Sequence, residues 1–297
     1  MVGDIRDYRT IDDVVRTHAI ESIYHAAAYK HVPMMEAHVI EAVRNNIVGT
    51  WNVVRVAQRH RVSNFLMISS DKAVNPTSVM GVTKRIAELI VSAASKAEDN
   101  STKFVSVRFG NVLGSNGSVV PTFQSQIVAG GPVTVTHPDM RRYFMSIREA
   151  VQLVLQASTM GKGSEIFVLD MGEPVRVLDL AYNMIQLAGL TPDEDIEVRI
   201  TGLRPGEKLF EEIALDGENI LPTYHEKIRI FRGTVVEPDN LSAWMDQLQL
   251  LISRRDTDRI LVHLAALVPE YTPQRGLSHV VATNVGKVAA AGKVLNT

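Results

Sequence analysis

The chain has 297 residues, of which 45% are hydrophobic and 22% are charged, as expected of a globular protein with a buried core and one or two domains. Its formal net charge of −2 favours neither nucleic acid nor an anionic membrane as a partner, and no apolar run is long enough to span a bilayer. Cysteine is absent, which excludes disulfides and thiolate metal sites and fits a reducing, cytoplasmic compartment.

Strands and helices alternate through the first 111 residues. The periodicity predicts a strand at 21–28, a long helical segment from Pro33 to residue 60, a strand at 64–70, a helix at 78–97 and a strand at 103–111. Such alternation is typical of a parallel sheet with helices on both faces. Ligands of these sheets bind at the carboxyl ends of the strands.

Shorter elements follow residue 111. After a Gly/Ser/Asn-rich loop, we expect helices at 119–129, 146–158 and 175–190, strands at 132–136, 165–170, 195–202 and 227–231, a loop at 203–208 and two helices within 238–268. The stretch from about residue 271 has no clear period and is predicted to be a flexible tail.

The segment SSDKAVNPTSVMGVTK, residues 69–84, places polar groups directly after a buried strand. Asp71 and Lys72 follow the strand end, and Met80 lies one helical turn before Lys84 on the same helix face. A short-chain dehydrogenase usually has Tyr-x-x-x-Lys at this position. Met80 stands in place of that tyrosine, and methionine neither donates nor accepts a proton. The structural alternatives are a solvated Asp–Lys pair in a surface turn and a core-filling methionine.

Six segments in order resemble those of the extended short-chain dehydrogenase/reductases. They are GDIRD (3–7), HAAAYKHVPMME (25–36), SSDKAVNPTSVMGVTKR (69–85), VRFGNVLGSNGSVVP (107–121), RRYFMSI (141–147) and GLRPGEKLFEE (202–212). Within that superfamily they are most similar to the CapD-like polysaccharide-biosynthesis proteins, which are nucleoside-diphosphate-sugar 4,6-dehydratases. The resemblance covers about residues 2–235. It implies NAD as cofactor, a UDP-N-acetyl-hexosamine as substrate and a 4-keto-6-deoxy sugar as product.

The resemblance also implies catalytic roles. Asp71 would be the acid and Lys72 the base of the elimination, and Ser70, Met80 and Lys84 complete the predicted catalytic set. Because Met80 cannot take the proton of the sugar C4 hydroxyl, Ser70, Asp71 or a water held by Lys84 would take it. A lysine acts as a base when burial or a nearby cation lowers its pKa, and Lys84 could be that cation for Lys72.

Binding residues are implied in the same way. The cofactor-binding residues would be Asp4, Ile5, Ala26, Ala27, Ala28, Ser69 and Lys84. The substrate-binding residues would be Lys30, Asn111, Ser118, Val119, Arg142, Arg204 and Glu207. Helix capping explains Asp4 equally well, close strand–helix packing explains the alanines, and at least one of Arg141 and Arg142 is expected to be a solvated surface charge. No metal site is predicted, because no acidic cluster accompanies the histidines.

The glycine-rich turn that seats the NAD pyrophosphate in this superfamily is not found in the expected place. The resemblance therefore implies a chain that begins within the third strand, with the first βα units missing. We expect an α/β fold: an incomplete doubly wound (Rossmann) parallel sheet over 1–170, a smaller nucleotide-sugar-binding domain mainly over 171–270, and a tail at 271–297. The strand at 21–27 would form an exposed apolar edge, and the chain alone would bind NAD weakly.

Two other functions stay open. One is an inactive fragment that binds a nucleotide sugar or a partner chain, and the other is a sugar-nucleotide 4-epimerase, which usually needs the tyrosine. The resemblance implies a homo-oligomer that pairs through the helices near 33–58 and 78–97. It also implies a location in the cytoplasm, or at the cytoplasmic face of the inner membrane for a longer, anchored form.

Overall fold

The computed structural model describes residues 1–213, 220–231 and 237–273. The predicted tail lies outside the described residues from position 274 onward.

The helices and strands of these residues follow the predicted alternation. The helices are α1 (Tyr8–His18), α2 (Val32–Ala37), α3 (Val39–Val43), α4 (Thr50–Arg59), α5 (Val79–Lys96), α6 (Val119–Val128), α7 (Ile147–Met160), α8 (Val177–Leu187), α9 (Pro238–Ser253) and α10 (Thr257–Leu267). The strands are β1 (Ser22–His25), β2 (Asn64–Ile68), β3 (Lys103–Arg108), β4 (Asn111–Val112), β5 (Val133–Val135), β6 (Arg141–Arg142), β7 (Phe144–Met145), β8 (Ile166–Leu169), β9 (Val175–Arg176), β10 (Val198–Ile200), β11 (Ile220–Pro222) and β12 (Ile228–Phe231).

Six strands form the central sheet in the order β1-β2-β3-β8-β12-β11. The first four are parallel, whereas β12 and β11 are added antiparallel. The predicted α/β fold with a mainly parallel sheet is therefore confirmed. Among the described residues β1 has a single partner strand, and Tyr24 on it is 51% exposed, as the prediction of an apolar edge requires.

The core explains why the runs at β2 and α5 are so apolar. Phe65 and Leu66 of β2 point to opposite faces of the sheet and both are buried, since helices cover both faces. Helix α5 is buried from Val79 to Ala94 because α4, α9 and α10 pack around it. The face of α5 through which the resemblance implies subunit pairing is thus covered within the single chain, and oligomerisation stays a prediction.

A second hydrophobic cluster lies apart from the sheet. Strands β5 and β10 pair in parallel, and helices α6 and α8 pack over Val133 and Ile196. Segments from both sides of position 171 therefore build this smaller unit, whereas α9 and α10 pack against α5. The two-stranded β4–β7 pair connects the exit of β3 to the start of α7.

The predicted helix from Pro33 to residue 60 is broken, which is one difference from the sequence expectation. The helix is interrupted at His38, whose backbone is not helical, so that α2 and α3 are separate. Residues Arg44–Gly49 then form a π-helical turn before α4. Asn46 in that turn accepts a hydrogen bond from the Tyr29 amide at 2.8 Å and donates to the Tyr29 carbonyl at 3.0 Å. Asparagine is a poor helix former, and here its side chain fixes the loop after β1 instead.

Two further expectations need correction. Residues 1–7 form no strand: Asp7 caps α1, a helix that was not predicted, by accepting hydrogen bonds from the amides of Arg9 and Thr10. The strand at 227–231 is present as β12, but it runs antiparallel to β8, and the unpredicted β11 pairs beside it. A strand of four residues carries no information about its own direction, so the sequence left this open.

Candidate active site

The turn after β2 is held at the carboxyl edge of the sheet by backbone hydrogen bonds to β3. The amide of Ser69 donates to the Val107 carbonyl at 2.7 Å, and the amide of Asp71 donates to the Phe109 carbonyl at 3.1 Å. A short 3₁₀ turn, Asp71–Ala73, follows and is capped by Ser70. The predicted catalytic pair therefore lies where α/β proteins place their ligands.

Asp71 is 1% exposed and has two very different carboxylate oxygens. Oδ1 accepts hydrogen bonds from Ser70 Oγ at 2.8 Å, from the Lys72 amide at 2.9 Å and from Lys72 Nζ at 3.0 Å. Oδ2 is buried and has no hydrogen-bond partner within residues 1–213, 220–231 and 237–273. Gly110 leaves room beside it, because a Cβ there would lie 3.2 Å from Oδ2. One oxygen is thus saturated and the other is free to accept a donor.

Lys72 has three acceptors for its three ammonium protons. Besides Asp71, Nζ contacts Asn111 Oδ1 at 3.3 Å and Glu211 Oε1 at 3.4 Å. Burial works against the charge of Lys72, but the carboxylates of Asp71 and Glu211 outweigh it and raise the pKa of Lys72 above its ordinary value. The expectation that the pKa of Lys72 is lowered, with Lys84 as the responsible cation, is therefore wrong.

Lys84 is buried and bound to the backbone. Its Nζ donates to the carbonyl oxygen of Ile68 at 2.6 Å, and burial lowers its pKa to about 8 against the opposing charge of Glu88. The pKa of His25 is lowered to about 3, mainly by burial and to a smaller extent by the charge of Lys84, so this imidazole is neutral. Met80, one turn before Lys84, is also buried.

Ser69 and the alanines predicted to meet the cofactor have different environments. The Ser69 hydroxyl donates to Glu88 Oε1 at 2.6 Å and so belongs to a buried ionic cluster with Arg108. Ala26 and Ala27 follow the carboxyl end of β1 and are exposed, and Ala28 is partly buried. Small exposed side chains there leave the strand end accessible to a ligand.

The N-terminal residues predicted to bind the cofactor interact with their own neighbours. The exposed Asp4 carboxylate accepts hydrogen bonds from Arg6 Nε at 2.9 and 3.0 Å, and this pairing lowers the pKa of Asp4. Ile5 packs against Gly49, and its carbonyl accepts a hydrogen bond from Asn52 Nδ2 at 3.1 Å. These contacts anchor the segment before α1 on the π-helical turn and α4.

The predicted substrate-binding residues fall into two groups. Lys30 Nζ lies 3.4 Å from Ser115 Oγ, beside the loop that leads to Ser118 and Val119 at the start of α6. The Ser118 hydroxyl has no hydrogen-bond partner in the described part of the chain. The second group is Arg204 and Glu207. The exposed Arg204 forms an ion pair with Glu207, and its Nη2 lies 2.6 Å from Oε1.

Arg142 is buried, whereas the adjacent Arg141 is exposed. The Arg142 guanidinium donates to the carbonyls of Lys208 at 2.7 Å and Leu209 at 3.1 Å, and it lies 3.8 Å from the Glu211 carboxylate. Arg142 thereby holds the segment after the predicted loop 203–208 against the Asp71–Lys72 turn. The structure brings Ser70, Asp71, Lys72, Asn111 and Arg142 together.

Glu211 is the residue of this cluster that sequence reasoning missed. It is the first glutamate of the pair that ends GLRPGEKLFEE, and its side chain is 4% exposed. Two adjacent glutamates after a conspicuous loop were the available signal.

The described residues contain no group of three or more His, Cys, Asp or Glu side chains arranged to hold a metal. None of their helices has the length and apolar character needed to cross a bilayer.

This arrangement defines a class of protein. A mainly parallel sheet with an Asp–Lys pair after the second strand and a buried lysine on the next helix is that of an extended short-chain dehydrogenase/reductase. Residues 1–232 match the sequence model of the family described as polysaccharide biosynthesis protein, and the chain belongs to that family.

Curated relatives agree with this assignment. The chain is 54% identical over 236 residues to the capsular polysaccharide biosynthesis protein CapD of Staphylococcus aureus, covering 79% of this chain and 39% of CapD. It is 52% identical to the probable polysaccharide biosynthesis protein EpsC of Bacillus subtilis, covering 75% of this chain and 38% of EpsC. The chain therefore spans about two fifths of these relatives. A UDP-glucose 4-epimerase of Rickettsia rickettsii is 35% identical, with coverages of 73% and 62%.

Solved structures share the fold. Pen from Bacillus thuringiensis superposes with a TM-score of 0.74 at 35% identity, covering 80% of this chain and 74% of Pen. DesIV, a dTDP-glucose 4,6-dehydratase of Streptomyces venezuelae solved with NAD, gives 0.63 at 19% identity with coverages of 72% and 69%. A UDP-glucose 4-epimerase of Thermus thermophilus, also with NAD, gives 0.61 at 20% identity with coverages of 69% and 72%. Dehydratases and epimerases thus share this fold equally.

Proposed function

We propose that this chain carries the acid–base centre of a nucleotide-sugar 4,6-dehydratase that converts a UDP-N-acetyl-hexosamine to its 4-keto-6-deoxy form. The observation that carries the proposal is the Asp71–Lys72 pair, whose Nζ and Oδ1 lie 3.0 Å apart in a buried turn. Water elimination needs a base for the C5 proton and an acid for the leaving C6 hydroxyl. An epimerase needs neither group.

The reaction requires NAD, which supplies a hydride acceptor for C4 and later a hydride donor for C6. The exposed alanines after β1 would accommodate it, and Lys84 would hold its ribose near the end of β2. Asp4 and Ile5 would contact the adenine side. Lys84 suits this binding role because its buried ammonium is already oriented by the Ile68 carbonyl.

Asp71 is suited to moving a proton between the sugar hydroxyls. Its open oxygen Oδ2 would accept the C4 hydroxyl proton, directly or through Ser70, whose hydroxyl is bound to Oδ1. The same carboxyl then gives that proton to the departing C6 hydroxyl. Met80 takes no part in this transfer, which explains how a site without the tyrosine could work.

Lys72 removes the C5 proton and later returns a proton to C5. The reaction therefore needs the free amine, although two carboxylates stabilise the ammonium form. Asn111, which accepts a hydrogen bond from Nζ, keeps the side chain directed across the site.

The diphosphate would lie between the two groups of predicted binding residues. Arg204 presents an exposed planar guanidinium suited to bidentate phosphate contacts. Lys30 adds a second charge, Ser118 adds a hydroxyl, and Val119 adds an amide at a helix start. Glu207 orients Arg204 in this arrangement.

A 4-epimerase is the second candidate, favoured by the 35% identity to the Rickettsia epimerase. The mass of the product separates the two reactions, since dehydration removes one water and epimerisation leaves the mass unchanged. The assay supplies NAD⁺ and UDP-N-acetylglucosamine to the chain, and in parallel to S. aureus CapD whose 236 matched residues are replaced by those of this chain. A product lighter by one water, absent with Lys72→Met, supports the proposal, and an isomer of unchanged mass overturns it.

A further inference from the structure

Lys72 must lose a proton before it can act as the base, and among the described residues two of its contacts are able to take one. Its Nζ touches Asp71 Oδ1, Asn111 Oδ1 and Glu211 Oε1. An amide oxygen such as that of Asn111 does not accept a proton at ordinary pH. The acceptor is therefore one of the two carboxylates.

The Asp71 oxygen nearest Lys72 has no room for a proton. Three donors already occupy Oδ1, namely the Ser70 hydroxyl, the Lys72 amide and Lys72 Nζ. A carboxylate oxygen offers about two lone-pair sites, so Oδ1 is saturated. The open oxygen Oδ2 is the one that the proposed reaction uses for the sugar hydroxyls.

The Glu211 carboxylate has the opposite geometry. Its Oε1 lies 3.4 Å from Lys72 Nζ and 3.8 Å from Arg142 Nη2, and its Oε2 is buried with no hydrogen-bond partner in the described ranges. A buried carboxylate oxygen without a donor is costly, and neutralising the carboxyl lowers the part of that cost that comes from burying a charge. Glu211 thus combines contact with Lys72 and an unfilled acceptor.

We propose that Glu211 accepts the ammonium proton of Lys72 and stores it while Lys72 works as the base. In this step one N–H bond of Lys72 breaks, one O–H bond forms on Glu211, and a neutral amine and a neutral carboxyl replace an ion pair. The inference rests on the proposed dehydratase function. Glu211 acts through Lys72 and is therefore a positioning residue. Within the described residues, Asp71, Glu211 and Arg142 are the charged groups that act on Lys72 from the elements around it.

The neighbouring Glu212 provides a matched control. It is adjacent in the chain but exposed, and its carboxylate binds Lys208 and Asn75. Glu211→Gln and Glu212→Gln are near-isosteric changes in the same segment. Only the first removes a proton acceptor from Lys72.

The first measurement is an NMR titration of the full chain labelled with ¹³C in lysine and glutamate, with Lys72 assigned by its loss in Lys72→Met. We expect the Lys72 side-chain carbons to report a pKa above the ordinary value of lysine, because the neighbouring carboxylates stabilise the ammonium form. In Glu211→Gln the pKa of Lys72 falls, and in Glu212→Gln it does not. An unchanged Lys72 titration in Glu211→Gln overturns the inference. This titration needs no turnover, so it tests the Lys72–Glu211 interaction that the inference requires even if the dehydratase proposal fails.

The second measurement separates proton storage from a purely electrostatic role. If Glu211 only stabilised the ammonium, Glu211→Gln would increase the free amine and keep or raise dehydration at neutral pH. Proton storage predicts instead a loss of about 100-fold or more at neutral pH, partial rescue by Glu211→Asp, and recovery as pH rises and solvent takes the proton. Glu211→Gln activity equal to or above wild type at neutral pH overturns the inference while leaving the dehydratase proposal intact.

Discussion

The Nζ atom of Lys84 donates a 2.6 Å hydrogen bond to the backbone carbonyl oxygen of Ile68. This bond ties the middle of α5 to the last residue of β2, directly before the Asp71–Lys72 turn. The lysine is therefore held by the main chain of the sheet, and its position does not depend on a tyrosine one helical turn earlier. Met80 can occupy that position without loosening Lys84.

Lys84→Met should change how stability depends on pH. The pKa of Lys84 is about 8 in the folded chain and 10.5 ordinarily, so between these values the unfolded chain binds more protons and wild-type stability rises with pH. The variant lacks this rise, which amounts to up to about 3 kcal/mol. Urea unfolding at pH 7.5 and pH 10 measures it, with the exposed Lys96→Met as control. If the unfolding free energies of wild type and Lys84→Met changed equally between the two pH values, the lowered pKa of the buried Lys84 would be contradicted.

Glu88→Gln should destabilise the fold. Burial alone would raise the pKa of Glu88, but Arg108, Arg85 and Ser69 outweigh it and hold the pKa below 4.5. The ion pairs therefore stabilise the fold above pH 4.5, and this contribution is lost as pH falls through the folded-state pKa.

The variant removes the Glu88 charge that pairs with the buried Arg108, at a cost of about 3–5 kcal/mol at pH 7. Chemical denaturation at pH 7 and pH 3.5 should show the difference shrinking at the lower pH. The exposed Glu98→Gln serves as control. A Glu88→Gln chain as stable as wild type at pH 7 would contradict the stabilising role of the ion pairs of Glu88 with Arg108 and Arg85.

Gly81→Ala tests the close approach of α5 to the Asp71–Lys72 turn. In an exposed helix alanine is more favourable than glycine by about 1 kcal/mol. Here the new Cβ would press against the Lys72 carbonyl oxygen, with Pro76 Cβ 3.2 Å away. We expect a net loss of about 1–3 kcal/mol in unfolding free energy and reduced activity. Val128→Ala at the exposed end of α6 should be neutral, and a stabilised Gly81→Ala would refute the contact.

Asp71→Asn keeps the shape of the side chain and removes the acid. Dehydration should fall by about 10²–10⁴-fold, whereas binding of the UDP-sugar should change little, since the proposed diphosphate contacts lie elsewhere. Turnover and calorimetric binding on the same preparations separate the two effects. Weakened binding with unchanged turnover would assign Asp71 to substrate recognition instead.

The strands at the centre of the sheet and the place of the site could be predicted from the sequence. The apolar run at 65–68 before Ser69 predicts β2, the segment KFVSVR predicts β3, and the polar pair after β2 has to emerge at the strand end. These features depend on local pattern alone.

The features that could not be predicted depend on residues distant in the chain. The break before α4 comes with the hydrogen bonds of Asn46 to Tyr29, and the direction of the Lys72 pKa shift depends on Glu211. No local pattern encodes either contact. The division into domains at residue 170 also stays a prediction, because segments on both sides of it build the β5–β10 unit.

The most direct test of the dehydratase proposal follows a deuterium label placed at C4 of UDP-N-acetylglucosamine. Incubation with NAD⁺ and either the chain or the CapD protein carrying its 236 residues is followed by NMR of the product. A dehydratase moves the label to the C6 methyl group of a 4-keto-6-deoxy sugar, and this is the predicted result. A product that retains C6 oxygen and carries the label again at C4 would identify an epimerase and contradict the account.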